Sequence, residues 1–328
     1  MAYELTLPAA QPVSAARALP VWAVTSTQHG AQAVAWLTTA VGGALALWHQ
    51  AAPAQTLAAG PWVLFGLVLS TGMLHGCLDQ YIEQERLPQA ARQRANRRYL
   101  WQAAAVAALW LVAPLPAFVL FLANTAWHFG ETDLAVFRVH ARPWQVWLYG
   151  TGITGWMLTC HLPEALANLH NLPYRGRQDA LPGWLVAHQW PCMAASALCL
   201  AAAVLASTLR HRPWALTLLA GLVGITAFLP LTLGFAVYFG LWHALQTLNV
   251  IRQDLRTDVA TLLRRGLPLL LISVVSSGVV VYGLHLAGVN AVLVLFAFVS
   301  ALTLPHTQVM HKLFARQGDG ATGALPVS

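Results

Sequence analysis

Histidines inside apolar stretches are the feature of this sequence with the clearest chemical meaning. The chain contains 13 histidines, and four separate apolar runs hold one within or at the end of the run, at His75, His128, His243 and His306. Ionisable groups are costly inside a membrane and mark functional sites there. Neutral imidazole is a good ligand for iron, copper and zinc, and facing helices can bring such ligands together. The pattern therefore predicts a transition-metal site inside a helical bundle.

Acidic residues lie close to two of these histidines in the sequence. Asp79 follows His75 by four positions, which places both on one face of a helix. Glu131 and Asp133 follow His128. A carboxylate beside a metal-bound histidine fixes the orientation and tautomer of the ring. Each neighbouring pair is expected to act either as a ligand with its orienting carboxylate or as two ligands.

The composition indicates which kind of element must position these side chains. Apolar residues make up 58% of the 328 residues and charged residues 9%, against roughly 45–50% and 25% in soluble proteins. This excludes a soluble enzyme, a disordered chain and a nucleic-acid binder. The net charge of +7 comes from basic residues in short connections between apolar runs, which is how polytopic membrane proteins distribute charge.

Apolar runs of membrane-spanning length recur along the chain. A bilayer core requires about 20 apolar residues per helical span. The candidate spans are residues 31–49, 61–79, 99–128, 144–160, 184–207, 214–229, 232–250, 267–285 and 288–305. Pro114 and Pro116 interrupt the third run, so it is expected to be kinked or to consist of two pieces. The expected fold is an all-α, polytopic transmembrane helical bundle of eight or nine spans.

One transmembrane domain is expected over residues 29–312. An N-terminal segment (1–28) is expected to be partly disordered, and the C-terminal tail (313–328) is expected to be disordered. Two arginine-rich connections, 81–98 and 251–265, bear on the topology. The positive-inside rule places the first connection in the cytoplasm, but the span count puts the second on the opposite side, so either the count is wrong by one or the second loop determines topology only weakly.

Four motifs resemble a known enzyme family. They are HGCLDQ (75–80), NTAWHFGETD (124–133), YFGLWHALQTL (238–248) and LPHTQVMH (304–311). In this order they are similar to the Brp/Blh family of membrane β-carotene 15,15'-dioxygenases, over most of the chain. The resemblance implies a non-haem Fe(2+) enzyme of the cell membrane that adds O₂ across the central double bond of β-carotene. It also implies release of two molecules of all-trans-retinal, surroundings of lipid, and a functional link to a rhodopsin.

The resemblance implies, by motif position, that His75, His128 and His243 are iron ligands. In the family the first motif usually reads HGxxDH, but this sequence has Gln80 at the last position. Some members carry a second histidine four residues after the WH histidine, where this sequence has Thr247.

A four-histidine site must therefore recruit a further residue. His306 is the first candidate and His311 the next. A three-histidine site completed by water or a carboxylate stays open.

Other membrane metalloproteins are the alternative. Desaturases and hydroxylases typically contain HxxxH and HxxHH boxes, whereas this chain has only the short pair His306 and His311 and no HH doublet. A haem-binding electron carrier or a proton-coupled transporter would use buried histidines as axial ligands or proton carriers. A retinal-binding rhodopsin needs a lysine inside the membrane, and the only lysine, Lys312, follows the last predicted span.

Overall fold

The computed structural model describes residues 21–169, 180–286 and 288–322, and in these ranges every regular element is helical. The first group of α-helices comprises α1 (Val21–Ala51), α2 (Pro53–Leu67), α3 (Met73–Cys77), α4 (Asp79–Arg86), α5 (Gln89–Val112), α6 (Pro114–Val136), α7 (Pro143–Cys160) and α8 (Leu162–Leu169). The second group comprises α9 (Ala180–Ala187), α10 (Gln189–Ala206), α11 (Pro213–Phe228), α12 (Leu231–Ala236), α13 (Ala244–Asp254), α14 (Val259–Leu286) and α15 (Ala291–Thr322). The shorter pieces are two π-helical segments, Val68–Gly72 and Val237–His243, and the 3₁₀ turn Thr208–His211. The all-α prediction is confirmed for these residues.

Within the described ranges, five helical stretches are long and apolar enough to cross a membrane. They are Gly30–Ala51, Pro53–Arg86, Gln189–Ala206, Val259–Leu286 and Ala291–Ala315. The stretch that contains α14 has only 6% of its apolar window buried, as is typical of a helix surrounded by lipid. These stretches support a helical membrane protein, although they are fewer than the eight or nine spans predicted from the sequence.

The apolar run at residues 99–128 forms two helices. α5 ends at Val112 and α6 begins at Pro114. Proline suits the first turn of a helix because its missing N–H would have no partner there, but it cannot continue a helix that precedes it. Of the two outcomes expected for this run, two pieces is the one observed.

The helices α5 and α6 run in opposite directions. At one end, Arg98 of α5 donates a hydrogen bond to the Gln308 side chain. At the same end, Asn124 of α6 donates to the Thr307 hydroxyl at 3.1 Å. The other ends of both helices meet the beginning of α15 in an apolar cluster of Val106, Trp110, Ala117 and Leu293. The two helices thus form an antiparallel hairpin packed along α15.

The two arginine-rich connections lie at the same end of the bundle. Arg86, where α4 ends, forms an ion pair with Asp254, where α13 ends. The guanidinium of Arg265 lies over the Tyr81 ring, 5.3 Å from its centroid. Of the two explanations left open, a count wrong by one agrees with this placement, because the run counted as one span is a hairpin and adds one change of direction between the connections. The positive-inside rule therefore favours the same side for both.

Both predicted domain boundaries fall inside helices. α1 already begins at Val21, and α15 continues through Thr322. Leu313 and Phe314 are buried in a cluster with Leu78, so apolar packing extends the last helix beyond residue 312. The remainder of the two segments expected to be disordered, residues 1–20 and 323–328, lies outside the described residues.

The two π-helical segments pack against each other near the centre of the bundle. Val68–Gly72 joins α2 to α3, and Val237–His243 joins α12 to α13. At this crossing Gly72 faces the ring of Phe239, and Gly240 faces α2, each so closely that an added Cβ would collide. The widened turns of π-helices are common at functional sites because they redirect the side chains that follow.

Candidate metal centre

The four predicted histidines lie on four different helical elements and meet in the interior. His75 is on α3, His128 on α6, His243 at the end of the second π-helical segment and His306 on α15. The ring centroids are 4.7 Å apart for His75 and His306, and 4.9 Å apart for His306 and His128. They are 4.7 Å apart for His128 and His243, and 5.3 Å apart for His243 and His75. Each of the four rings, here called the histidine cluster, is thus in contact with two others.

The ring nitrogens of three members lie close to one another. One nitrogen each of His75, His128 and His306 lies within 4.8 Å of the other two. A cation with bonds of roughly 2.1 Å would separate tetrahedral ligand nitrogens by about 3.4 Å. The observed limit of 4.8 Å includes this spacing but is wider than it. His243 is not one of these three residues, but its ring lies beside those of His75 and His128.

The histidine cluster is buried, and most of its nitrogens have no protein partner. His243 is fully buried, and His128 is 2% exposed. In the part of the chain that the structure describes, neither ring nitrogen of these two residues has a hydrogen-bond partner, and the same holds for Nε2 of His306. A buried polar atom without a partner costs about 1–3 kcal/mol. A cation bound between the rings would supply the missing partner, so the residues present fit a metal.

Asp79 orients the ring of His306. The Nδ1–H of His306 donates to the two carboxylate oxygens of Asp79 at 2.8 and 3.0 Å, which leaves Nε2 as the possible ligand atom. The Tyr99 hydroxyl donates to the same carboxylate. This partner differs from the His75 expected from the sequence, because α3 ends at Cys77 and α4 begins at Asp79, so the two residues do not share one regular helix.

Glu131 pairs with His311 rather than with His128. Its Oε1 atom lies 2.5 Å from Nδ1 of His311, whose side chain is 55% exposed and whose ring contacts Trp127. His311, the second candidate for the fourth ligand, therefore lies outside the histidine cluster. His306, the first candidate, lies within it.

Asp133 lies behind the histidine cluster and accepts three hydrogen bonds. The hydroxyls of Tyr238 and Tyr149 donate to Oδ2 at 2.7 and 3.1 Å. The indole N–H of Trp242 donates to Oδ1 at 2.9 Å. Because Trp242 directly precedes His243, the carboxylate ties α6 and α7 to the backbone that carries a cluster histidine.

The two positions that depart from the family motif have different surroundings. The Thr247 hydroxyl donates to the backbone carbonyl of His243 at 2.8 Å. This is a local hydrogen bond to the preceding helical turn. Gln80 lies on the wall of a cavity beside the histidine cluster.

This cavity, here called the central cavity, has a volume of about 240 Å³ and a mainly apolar lining. Four phenylalanines contribute to it, namely Phe121, Phe129, Phe235 and Phe239. Thr125 adds a buried hydroxyl that has no hydrogen-bond partner among the described residues. Histidines 75, 128 and 306 also line the cavity. An apolar pocket with a few converging polar groups is the usual form of a site for an apolar ligand.

A family model described as Beta-carotene 15,15'-dioxygenase matches residues 66–314. The chain belongs to this family. The match covers about three quarters of the sequence and contains the whole histidine cluster, so the resemblance of the four motifs is confirmed. Membership supports a β-carotene dioxygenase-like function at the level of the family. Among the curated proteins and the solved structures, no match was found.

Two residues of the site were missed by reasoning from the sequence. Phe239 stacks on His243 with ring centroids 5.7 Å apart, and its position in the motif YFGLWH could have drawn attention to it. Tyr99, which donates to Asp79, follows a run of arginines and carries no motif. Only the three-dimensional packing of α5 against α15 brings it to the site.

Proposed function

We propose that this member of the family cleaves β-carotene at its central 15,15' double bond with O₂ and releases two molecules of all-trans-retinal. The observation that carries the proposal is the meeting of four buried histidines beside an apolar cavity. In this reaction the double bond breaks, and each half of the molecule receives one oxygen atom as an aldehyde. No other oxidant or reductant is consumed.

We propose Fe(2+) as the metal, held by His75, His128, His243 and His306. Imidazole donors suit iron, and the unpartnered nitrogens of the cluster support a bound cation. Iron supplies the redox chemistry with O₂ that a zinc ion with the same ligands would not.

The remaining residues bind and orient. Asp79 holds His306 in the tautomer whose Nε2 faces the cluster, as carboxylates do at many metal sites. The phenylalanines of the central cavity offer ring faces and edges to a conjugated polyene. Their apolar surface also keeps water away from the reacting double bond. The function of the chain itself is thus to place one double bond at the cluster and to exclude solvent.

The surroundings are proposed to be the lipid of the cell membrane. β-Carotene has no polar group and partitions into lipid, so the substrate reaches a helical protein from within the bilayer. Helix α5 and helices α14 and α15 contribute Leu100, Leu269 and Leu302 to the wall of the central cavity, where entry from the lipid is proposed. A rhodopsin in the same cell would be a consumer of the retinal.

Expression in bacteria that produce β-carotene tests the proposal. The wild type is expected to bleach the orange cells and to produce retinal, which chromatography with mass detection measures. His75→Ala, His128→Ala, His243→Ala and His306→Ala are expected to abolish retinal formation, whereas His285→Ala is the matched control because His285 is exposed on α14. A properly inserted wild type that leaves the pigment unchanged contradicts the proposed substrate.

Metal analysis of the purified protein tests the cofactor separately. Iron without a Soret band is expected, and the band of a haem would instead favour an electron carrier. Chelation is expected to abolish activity, and Fe(2+) is expected to restore it.

A further inference from the structure

A second cavity lies next to the central cavity. It has a volume of about 80 Å³ and lies between α6, α7, α8, α12 and α15. Phe121, Thr125 and Phe235 line both cavities. These three side chains therefore lie at the boundary between the two cavities.

Aromatic rings continue from the histidine cluster to the second cavity. Phe239 stacks on His243, with centroids 5.7 Å apart and planes at 14°. Phe235 stacks on Phe239 at 5.4 Å and 10°. Phe296, in the second cavity, contacts Phe235 at 5.1 Å and Phe121 at 6.1 Å. A row of aromatic side chains thus extends from the cluster to the second cavity.

The distance between the cluster and the second cavity follows from the helices that border both. The second cavity is lined by Phe118 of α6 and Phe296 of α15. Each lies ten residues before a cluster histidine on the same helix, His128 and His306 respectively. At 1.5 Å per residue, ten residues of helix span about 15 Å. Half of an extended β-carotene molecule has about this length.

The wall of the second cavity on α7 and α8 is here called its far end, because the described residues of these two helices do not line the central cavity. It is apolar apart from Thr154 and Asn168. Met157 and Leu158 of α7 and Ala165 of α8 line it. Ala165 is 6% exposed and Met157 is 3% exposed. Thr154 adds a buried hydroxyl for which the described part of the chain offers no hydrogen-bond partner. The lining suits an apolar ring rather than a charged group.

We propose that the second cavity binds one ring end of the carotenoid, and that the distance from its far end to the histidine cluster selects the double bond that is cleaved. The proposal rests on the proposed carotenoid cleavage and adds the subsite that would give it regiospecificity. A ring that reaches the far end places the central bond of the polyene at the cluster. A ring that is stopped earlier places at the cluster a bond nearer to that ring.

Filling the second cavity tests the proposal in bacteria that produce β-carotene. Ala165→Phe fills it from α8, and Ala167→Phe is the matched control because Ala167 is exposed on the same helix. Relative to the control, retinal is expected to fall at least about tenfold, the scale on which pockets discriminate shape. One longer and one shorter aldehyde are expected in its place. Equal amounts of retinal from the two inserted variants would overturn the proposal.

A variant on another helix covers the case in which Ala165→Phe does not insert. Leu158 is only half-buried, so Leu158→Trp fills the same cavity at less risk to folding. It is expected to shift the products in the same direction. Unchanged retinal from this variant would likewise contradict the ring subsite.

Binding without turnover separates this proposal from the proposed function. In the absence of O₂, β-carotene retained by the purified protein is measured by its visible absorbance. The wild type and Ala167→Phe are expected to retain it, and Ala165→Phe is expected to retain less. If the wild type binds β-carotene but produces no aldehyde, the proposed reaction fails while the subsite stands. If Ala165→Phe binds as the wild type does and still releases only retinal, the subsite fails while the reaction stands.

Discussion

The hydroxyl of Thr71 donates a hydrogen bond to the backbone carbonyl of Gly240 at 2.7 Å and thereby joins the two π-helical segments. A π-helical turn leaves carbonyl groups without their regular partner, and a hydroxyl from the neighbouring segment satisfies one of them here. Thr71 precedes His75 by one helical turn, and Gly240 precedes His243 by three residues. The bond therefore fixes the separation of the backbones that carry two cluster histidines.

Thr71→Val tests this connection, since valine keeps the shape of the side chain but removes the donor. The free energy of unfolding is expected to fall by about 1 kcal/mol, and the iron content is expected to fall with it. Thermal unfolding in detergent and metal analysis measure the two effects. Thr217→Val is the control because the exposed Thr217 hydroxyl bonds only the preceding turn, at Pro213, and a loss of equal size there would contradict a special role of Thr71.

Asp79→Asn is expected to lower metal affinity about 10–100-fold, as the loss of an orienting carboxylate does at other sites. The reason is that a neutral amide polarises and orients the His306 ring less strongly than the carboxylate. Titration of the metal-free protein with Fe(2+) measures the change. Asp258→Asn is a matched control: Asp258 is exposed and caps α14 through the Thr261 N–H at 2.7 Å, a bond that lowers the pKa of Asp258. Unchanged affinity in Asp79→Asn would show that the carboxylate does not position a ligand.

Asp133→Ala is expected to destabilise the protein by several kcal/mol. Each of the three buried donors that lose the carboxylate costs about 1–3 kcal/mol when it is left without a partner. Tyr149→Phe removes one donor and leaves the carboxylate bound to Tyr238 and Trp242, so it is expected to cost about 1 kcal/mol. Chemical or thermal unfolding in detergent measures the loss of stability of Asp133→Ala and of Tyr149→Phe. Equal losses for the two variants would contradict a shared acceptor.

Gly130→Ala is expected to be strongly destabilising, because a Cβ at Gly130 would collide with the backbone of α7 at Val146 and Gly150. Small residues allow membrane helices to approach closely, and overpacking costs about 1–3 kcal/mol or more. Gly66→Ala is the control, since in the described ranges a Cβ at Gly66 of α2 has no other helix within 4 Å. Its stability is expected to be unchanged or raised by at most about 1 kcal/mol, the helix preference for alanine. Thermal unfolding decides, and similar midpoints for the two variants would contradict the close crossing.

Much of the site could be predicted from the sequence because its chemistry is rare in membranes. Histidines in apolar runs have few roles there, so His75, His128, His243 and His306 could be grouped without knowledge of any contact. The family resemblance followed from the same motifs. The proline pair at Pro114 likewise identified the interruption of an apolar run, since proline acts through local backbone geometry.

Partners across the bundle could not be predicted. The sequence predicted His75 as the partner of Asp79. In the structure the helix is broken between α3 and α4, and the packing of α15 makes His306 the partner instead. Periodicity likewise carries no signal for π-helical segments, whose extra residue shifts the register. The direction of α6 relative to α5 also depends on long-range packing, and it changed the expected placement of the second arginine-rich connection.

The bond between Asp79 and His306 spans 227 positions of the chain. During synthesis the ribosome must therefore reach His306 before this contact can form. Until α15 is inserted, the side of the interior that α15 covers is open to the bilayer. The arrival of α15 is thus the event that closes the interior, and truncation before α15 would leave the histidine cluster without His306.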